Sequence, residues 1–141
     1  MDFGNMITNI ANGIHQKYDI FFSSYDLTYS QYRVLMWMFE QPEDSNINQQ
    51  TLADAMGVKA SSISSLVRTL ERKGYLTASR NQSDQRNKCL LLTSKAEELR
   101  AALITATKNG EKQLTLGLTE NQIEALKSGL SQIYQNIEES K

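Results

Sequence analysis

Residues 47–73 read INQQTLADAMGVKASSISSLVRTLERK and encode a short helix, a glycine and a second helix. The apolar side of the first helix consists of Ile47, Leu52, Ala53 and Met56. Gly57 follows as a residue that can adopt a left-handed backbone at a helix end, and Val58 is predicted to fill the corner behind it. The buried face of the second helix, 60–73, is predicted from the spacing of Ile63, Leu66, Val67 and Leu70. Two helices joined by such a turn form a helix-turn-helix.

The outer face of the second helix carries short or basic side chains: Ser61, Ser62, Ser64, Ser65, Arg68 and Arg72. Short hydroxyl side chains allow a helix to approach a DNA major groove and to bond base edges or phosphates. Arginine can bond a guanine edge with two hydrogen bonds or neutralise a phosphate. The pattern predicts a DNA recognition helix. The alternative is an ordinary surface helix, although glutamate and lysine would more often alternate there.

Two strand-like stretches follow, 75–80 and 88–92, and the polar residues 81–87 between them are typical of a hairpin tip. We expect the basic side chains of this hairpin to follow the DNA backbone or to enter a narrow minor groove, which attracts arginine. These basic residues are Arg80, Arg86 and Lys88. Asp84 is predicted to pair with one of the arginines and to fix the loop. Its alternative role is that of an ordinary turn residue.

The charge of the chain is unevenly distributed. The net charge is −1, but residues 59–88 carry seven basic and two acidic side chains, a local net charge of +5. The rest of the chain therefore carries −6. A basic segment in an acidic protein indicates a local anionic partner, the alternative being a solvated charged face.

Apolar residues recur every three or four positions near both ends of the chain, in 3–25, 94–114 and 119–137. Thr28 with Gln31, and Thr119 with Gln122, are predicted to form capping boxes that start helices. These apolar stripes could pack within one chain, but their length favours sharing with a second copy.

These patterns predict a mainly α fold with a small β-hairpin wing, a winged helix-turn-helix with N- and C-terminal dimerisation helices. We expect one domain, 1–141. The winged helix-turn-helix would span about 28–92, and the dimerisation helices about 2–25 and 94–138.

The sequence resembles the MarR family of bacterial transcriptional regulators over essentially its whole length. The motifs that carry the resemblance are LADAMGV at 52–58, LERKGYL at 70–76, and Asp84-Gln85-Arg86 followed by Leu92-Thr93. The resemblance implies a triangular homodimer with interlocked first and last helices. It places helix 60–73 in the major groove and Arg86 at the minor groove of a pseudo-palindromic operator, with release when an effector is sensed. Repression is the default expectation, because a dimer on a promoter blocks polymerase.

A small aromatic effector, such as a planar aromatic acid or a phenol, is a further hypothesis. The candidate pocket residues are His15, Tyr18, Tyr32 and Trp37. The alternative, which we favour, is that these residues belong to the core or to an interface. The lone cysteine, Cys89, is expected to be a small buried strand residue and not a redox sensor.

Other function classes have little support in the sequence. It lacks a Ser-His-Asp order, a glycine-rich phosphate loop and a scaffold for paired carboxylates, so we expect no enzyme and no cofactor. One histidine and one cysteine argue against a metal site. No apolar run reaches eighteen residues, which predicts a cytoplasmic protein without a membrane partner. The competing functions are a winged-helix protein-interaction module and a DNA-binding activator without a small-molecule effector.

Overall fold

The computed structural model describes residues 1–79 and 88–141. Within these residues the chain forms six α-helices and one antiparallel pair of strands. In chain order these are α1 (Phe3–Phe22), α2 (Tyr29–Phe39), α3 (Gln49–Met56), α4 (Ala60–Arg72), β1 (Leu76–Ala78), β2 (Leu90–Leu92), α5 (Ser94–Leu114) and α6 (Glu120–Glu139). A 3₁₀ turn, Ser23–Tyr25, follows α1. The predicted fold class is confirmed, although the two strands are shorter than expected.

Side-chain caps start the helices where the sequence predicts them. The Thr28 hydroxyl accepts a hydrogen bond from the Gln31 backbone N–H at 3.2 Å, and the Gln31 side-chain oxygen accepts from the Thr28 N–H at 3.0 Å. Thr119 and Gln122 form the same reciprocal pair at the start of α6. Both predicted capping boxes are therefore present, and each satisfies two backbone donors that a helix start leaves without partners.

Contacts divide the chain into two compact units, 1–103 and 104–141. In the first unit the helix-turn-helix packs around fully buried Leu35, Leu52, Ile63 and Leu70. The backbone N–H of Leu90 donates to the Ile47 carbonyl at 2.7 Å, which attaches β2 to the segment before α3. Burying apolar side chains on the inner side of α4 leaves its opposite side to solvent.

The second unit, residues 104–141, contains the end of α5 and all of α6. Gly117 adopts a φ of 86° between the two helices, a left-handed conformation that glycine takes without steric cost. Within this unit no side chain of α6 is fully buried. A 20-residue helix with an unburied apolar stripe gains little from packing, so the stripe is available to a partner.

Gly57 makes the turn of the helix-turn-helix with a left-handed backbone, φ 67° and ψ 35°. Its N–H bonds the carbonyls of Ala53 and Asp54, which ends α3 as predicted. The interpretation of Val58 is wrong, because this side chain is 42% exposed and does not fill the corner. Leu66, predicted to be buried, is half-buried. Helical spacing identifies a face but not the depth to which neighbouring elements cover it.

Replacing Gly57 with alanine should lower the free energy of unfolding by about 1–2 kcal/mol, the usual cost of a left-handed backbone for an L-residue. An added Cβ would meet no heavy atom within 4 Å, so the effect comes from backbone conformation and not from a clash. Gly57→Asn is the control, since asparagine tolerates this conformation better and should cost less. Urea denaturation measures both; equal losses for the two variants would contradict the backbone explanation.

Candidate nucleic-acid interface

The predicted contact residues of α4 lie mainly on its exposed side. Ser61, Ser65, Arg68 and Arg72 follow one another at intervals of four, three and four residues, which places them in a single stripe. All four are exposed, as is Ser62, while Ser64 is half-buried at the edge of the stripe. The opposite side of the helix carries the buried Ile63, Val67 and Leu70. The structure thus brings five of the six α4 candidates together on one surface.

The charges of this surface are not neutralised by the described part of the chain. Among the ion pairs of residues 1–79 and 88–141, none involves Arg68 or Arg72. The first turn of α4 contains no acidic residue, and its N-cap, Lys59, provides no side-chain hydrogen bond to the helix. Backbone N–H groups at a helix N-terminus attract anions, and the Lys59 ammonium adds to that attraction. Lys59 is therefore a further candidate, which the sequence pattern of the α4 face did not include because it precedes the helix.

The wing is described only at its base. Leu76, Thr77 and Ala78 pair with Leu92, Leu91 and Leu90, and the Ser79 N–H continues the ladder by donating to the Cys89 carbonyl at 2.8 Å. Lys88, one of the predicted contact residues, is half-buried at this base. Three others, Arg80, Asp84 and Arg86, lie outside the described residues. Their assignments stay predictions.

Three of the four predicted effector-pocket residues belong to one aromatic cluster. Tyr18 stacks on Tyr29 with ring centroids 5.5 Å apart, and the buried Tyr32 stacks on Phe22 at 4.0 Å. The His15 ring meets Tyr29 edge-on at 5.4 Å. Trp37 is half-buried, and no ring contact to it is seen in the described part of the chain. The rings fill the space between α1 and α2 by contacting one another.

The described part of the chain provides neither a metal-ligand cluster nor a membrane-spanning helix. Across 1–79 and 88–141 no three histidine, cysteine, aspartate or glutamate side chains converge as metal ligands. No described helix has the length and apolarity needed to cross a membrane. Cys89 lies immediately before β2 and is half-buried, so it is neither in the strand nor fully buried as expected.

A helix-turn-helix followed by a two-stranded antiparallel wing, with long helices before and after it, defines a winged helix-turn-helix protein. Residues 25–87 match the sequence model of the MarR family. This match confirms the resemblance to the MarR family that the sequence indicated, and the relatives found are transcriptional regulators.

One relative is the HTH-type transcriptional regulator SarZ of Staphylococcus saprophyticus. It is 30% identical over 95 residues, which cover 67% of this chain and 63% of SarZ. The SarZ of Staphylococcus epidermidis is 28% identical over 117 residues, covering 82% of this chain and 77% of that protein. The matched part of the chain thus spans less than two thirds of the first relative.

Solved structures share the fold over nearly the whole chain. The S. aureus MepR–DNA complex has a TM-score of 0.84 at 24% identity, covering 96% of each chain. A MarR-family regulator from Listeria monocytogenes bound to a 26mer DNA has a TM-score of 0.86 at 24% identity, covering 99% of this chain and 91% of that one. At this identity the similarity establishes the fold.

Proposed function

We propose that this protein is a DNA-binding transcriptional regulator, a cytoplasmic repressor that binds a pseudo-palindromic operator as a homodimer. One observation carries the proposal: opposite its buried face, α4 presents an exposed stripe of serines and of arginines that form no ion pair with the described residues. An arginine without an ion-pair partner can bond a guanine edge or a phosphate without first breaking an ion pair. Serine side chains on the same stripe are short enough to let the helix backbone approach the groove.

The proposed contact residues have three roles: reading bases, neutralising phosphates and holding the wing on the DNA. Ser61, Ser62, Ser65 and Arg68 face base edges in the major groove, with Ser64 at the margin. Lys59 and Arg72, near the two ends of α4, neutralise phosphates. Arg80, Arg86 and Lys88 of the wing contact the adjacent backbone or minor groove, and Asp84 holds the wing arginines. Two of the solved relatives of the same fold are DNA complexes, which supports this use of the fold.

A homodimer is supported by apolar surface that the single chain leaves uncovered. On α6, Leu126, Leu130, Tyr134 and Ile137 are each about half-exposed and follow one stripe. In the same unit Leu126 and Leu130, together with Ile123 and others, line a groove of about 560 Å³ between the end of α5 and α6. On α1, Phe3 and Ile10 are also exposed. Such large apolar patches mark interaction sites, and a second copy presents the same patches.

An effector remains part of the proposal at the aromatic cluster of α1 and α2. A planar aromatic acid or phenol could exchange with the stacked rings of Tyr18 and Tyr29 beside His15, since aromatic ligands form the same stacking contacts. The dense packing of the cluster also supports the core interpretation. Regulation by a small molecule therefore requires these rings to move apart when the ligand binds.

The test begins with genomic fragments that the purified protein selects, and then measures the effect of Arg68→Ala on the best of them. We expect the binding free energy to weaken by about 1–3 kcal/mol per half-site, because alanine cannot bond a base edge. Discrimination between bases should relax at one position of each half-site. Arg33→Ala on α2 is the matched control, as it removes the same charge from an exposed site outside α4. Fluorescence anisotropy measures the affinities. Equal effects of the two variants would show that α4 does not read the DNA.

A further inference from the structure

At the carboxyl end of α4, the Lys73 side chain reaches a part of the chain that is distant in sequence. Lys73, the residue that ends α4, extends its ammonium group to the junction between α1 and α2. There it donates to the Asp26 carbonyl at 2.7 Å and to the Gln31 side-chain oxygen at 3.0 Å. The Asp26 carboxylate lies 3.6 Å away. The ammonium group thus makes two hydrogen bonds and one longer ion pair at this junction.

Gln31 makes this contact specific. Its side chain is 7% exposed, and its oxygen already accepts the Thr28 N–H in the capping box of α2. A carbonyl oxygen has two lone pairs, and the Lys73 ammonium occupies the second. The Gln31 side-chain oxygen, which takes part in the cap of α2, therefore also accepts the hydrogen bond from the residue that ends α4. Removal of the ammonium would leave this buried oxygen with half of its bonding capacity unused.

The acceptors at the junction are held in place by the backbone. Asp26 adopts a left-handed conformation with φ 56°, and the next N–H, that of Leu27, bonds the Phe22 carbonyl at 3.1 Å. Beside it, the buried Tyr75 donates its hydroxyl to the Tyr25 carbonyl at 3.2 Å. Burial and the nearby Asp26 carboxylate raise the pKa of Tyr75, which keeps this donor protonated. Two consecutive backbone carbonyls, Tyr25 and Asp26, thus receive bonds from the segment that follows α4.

A second set of bonds holds the same end of α4 from the other side. Lys95, in the first turn of α5, donates to the Lys73 carbonyl at 2.6 Å, and its ammonium lies 4.6 Å from the centre of the Tyr75 ring. The Thr93 hydroxyl donates to the Gly74 carbonyl at 2.6 Å. The carboxyl end of α4 is therefore fixed by side chains, whereas the Lys59 side chain does not cap its N-terminus.

We propose that Lys73 is a positioning residue, which sets the angle of the recognition helix α4 relative to α2 by clamping its carboxyl end to Asp26 and Gln31. The proposal rests on the proposed function, because the angle of α4 matters only if α4 enters DNA. In a dimer the two recognition helices must meet half-sites about one helical turn apart, so this angle also determines the half-site spacing that the protein accepts. Lys73 acts without contacting DNA, since its ammonium is occupied within the chain.

The experiment compares Lys73→Met, Lys73→Arg and Arg72→Met on the fragment that wild-type protein selects. The probes are this fragment and versions with one base pair inserted or removed between the half-sites. Lys73→Met removes both hydrogen bonds of the ammonium and should weaken binding to the original spacing by about tenfold, because α4 is then no longer held at its best angle. It should also reduce the difference in affinity between the probe with the original spacing and the probes with altered spacing. The salt dependence of binding should remain unchanged. Arg72→Met should instead make the salt dependence shallower and leave the spacing preference intact.

Lys73→Arg shows whether the positive charge of Lys73 or the shape of its ammonium group determines the spacing preference. This variant also provides a test if the methionine variant folds poorly. A planar guanidinium cannot donate to both the Asp26 carbonyl and the Gln31 oxygen in the geometry of the compact ammonium, so the spacing preference should again relax although the charge is kept. If Lys73→Met lowers the salt dependence as Arg72→Met does, or leaves the spacing preference as in wild type, the clamp is wrong.

Amide hydrogen exchange tests the clamp without DNA. Lys73→Met should accelerate exchange in the last turn of α4 more than at Ile63 in its first turns. Uniform acceleration along the helix, or none, would contradict the proposal. Failure of wild-type protein to bind any fragment would defeat the proposed function while leaving this measurement valid.

Discussion

Raising the salt concentration from 50 to 200 mM should lower the affinity of the protein for its operator by about 10³–10⁵-fold, which is the effect expected for roughly 6–10 phosphate contacts per dimer. Each lysine or arginine that neutralises a phosphate releases a condensed counterion, and added salt opposes that release. The basic side chains available are those of α4 and the wing, where residues 59–88 carry a net charge of +5. Fluorescence anisotropy at four salt concentrations should give a slope of about −5 to −9 for the logarithm of affinity against that of salt concentration.

The same titration separates the regulator from the protein-interaction module that the sequence left open. A module that does not bind DNA would show weak association and no such slope. Arg72→Met serves as an internal check: the dimer carries this arginine twice, so removing the two bonds to phosphates should reduce the magnitude of the slope by about two. A wild-type slope near zero would contradict the assignment of α4 and the wing to DNA.

Replacing Leu130 with aspartate should dissociate the dimer and reduce operator affinity by about 10²–10⁴-fold, the gain that linking two binding modules usually provides. Leu130 is 51% exposed in the single chain and lies at the middle of the α6 stripe, beside Leu126 and Tyr134. In a two-fold symmetric interface the substitution occurs twice, so two charges would be buried without partners. Sedimentation equilibrium measures the oligomeric state, and anisotropy measures the binding.

Ser128→Asp is the matched control for this substitution. Ser128 is exposed on the same helix, two residues from Leu130, and two residues correspond to about 200° of rotation, which places it on the opposite side. It adds the same charge, but the variant should remain dimeric and bind normally. A Leu130→Asp protein that remains dimeric would show that the α6 stripe is not the interface.

Local chemistry in the sequence determined where two of the helices begin and where a third one ends. The Thr28–Gln31 and Thr119–Gln122 pairs predicted two helix starts, and Gly57 predicted the turn, because these residues satisfy backbone groups within four positions of themselves. The alternation of buried and exposed positions along α4 was also predictable, since helical periodicity is a local property. The motifs at 52–58 and 70–76 then indicated the family.

The tertiary structure decided which of these positions meet distant partners. Val58 proved to be 42% exposed, because what covers a residue depends on elements far away in the chain. The contact of Lys73 with Asp26 joins residues 47 positions apart, and in the sequence Lys73 is simply one more basic residue of the charged segment. His15, Tyr18 and Tyr32 came together through Tyr29 and Phe22, whose rings the sequence did not single out. Periodicity and capping report bonds between near neighbours, whereas a clamp or a cluster exists only once the chain has folded and brought its partners into contact.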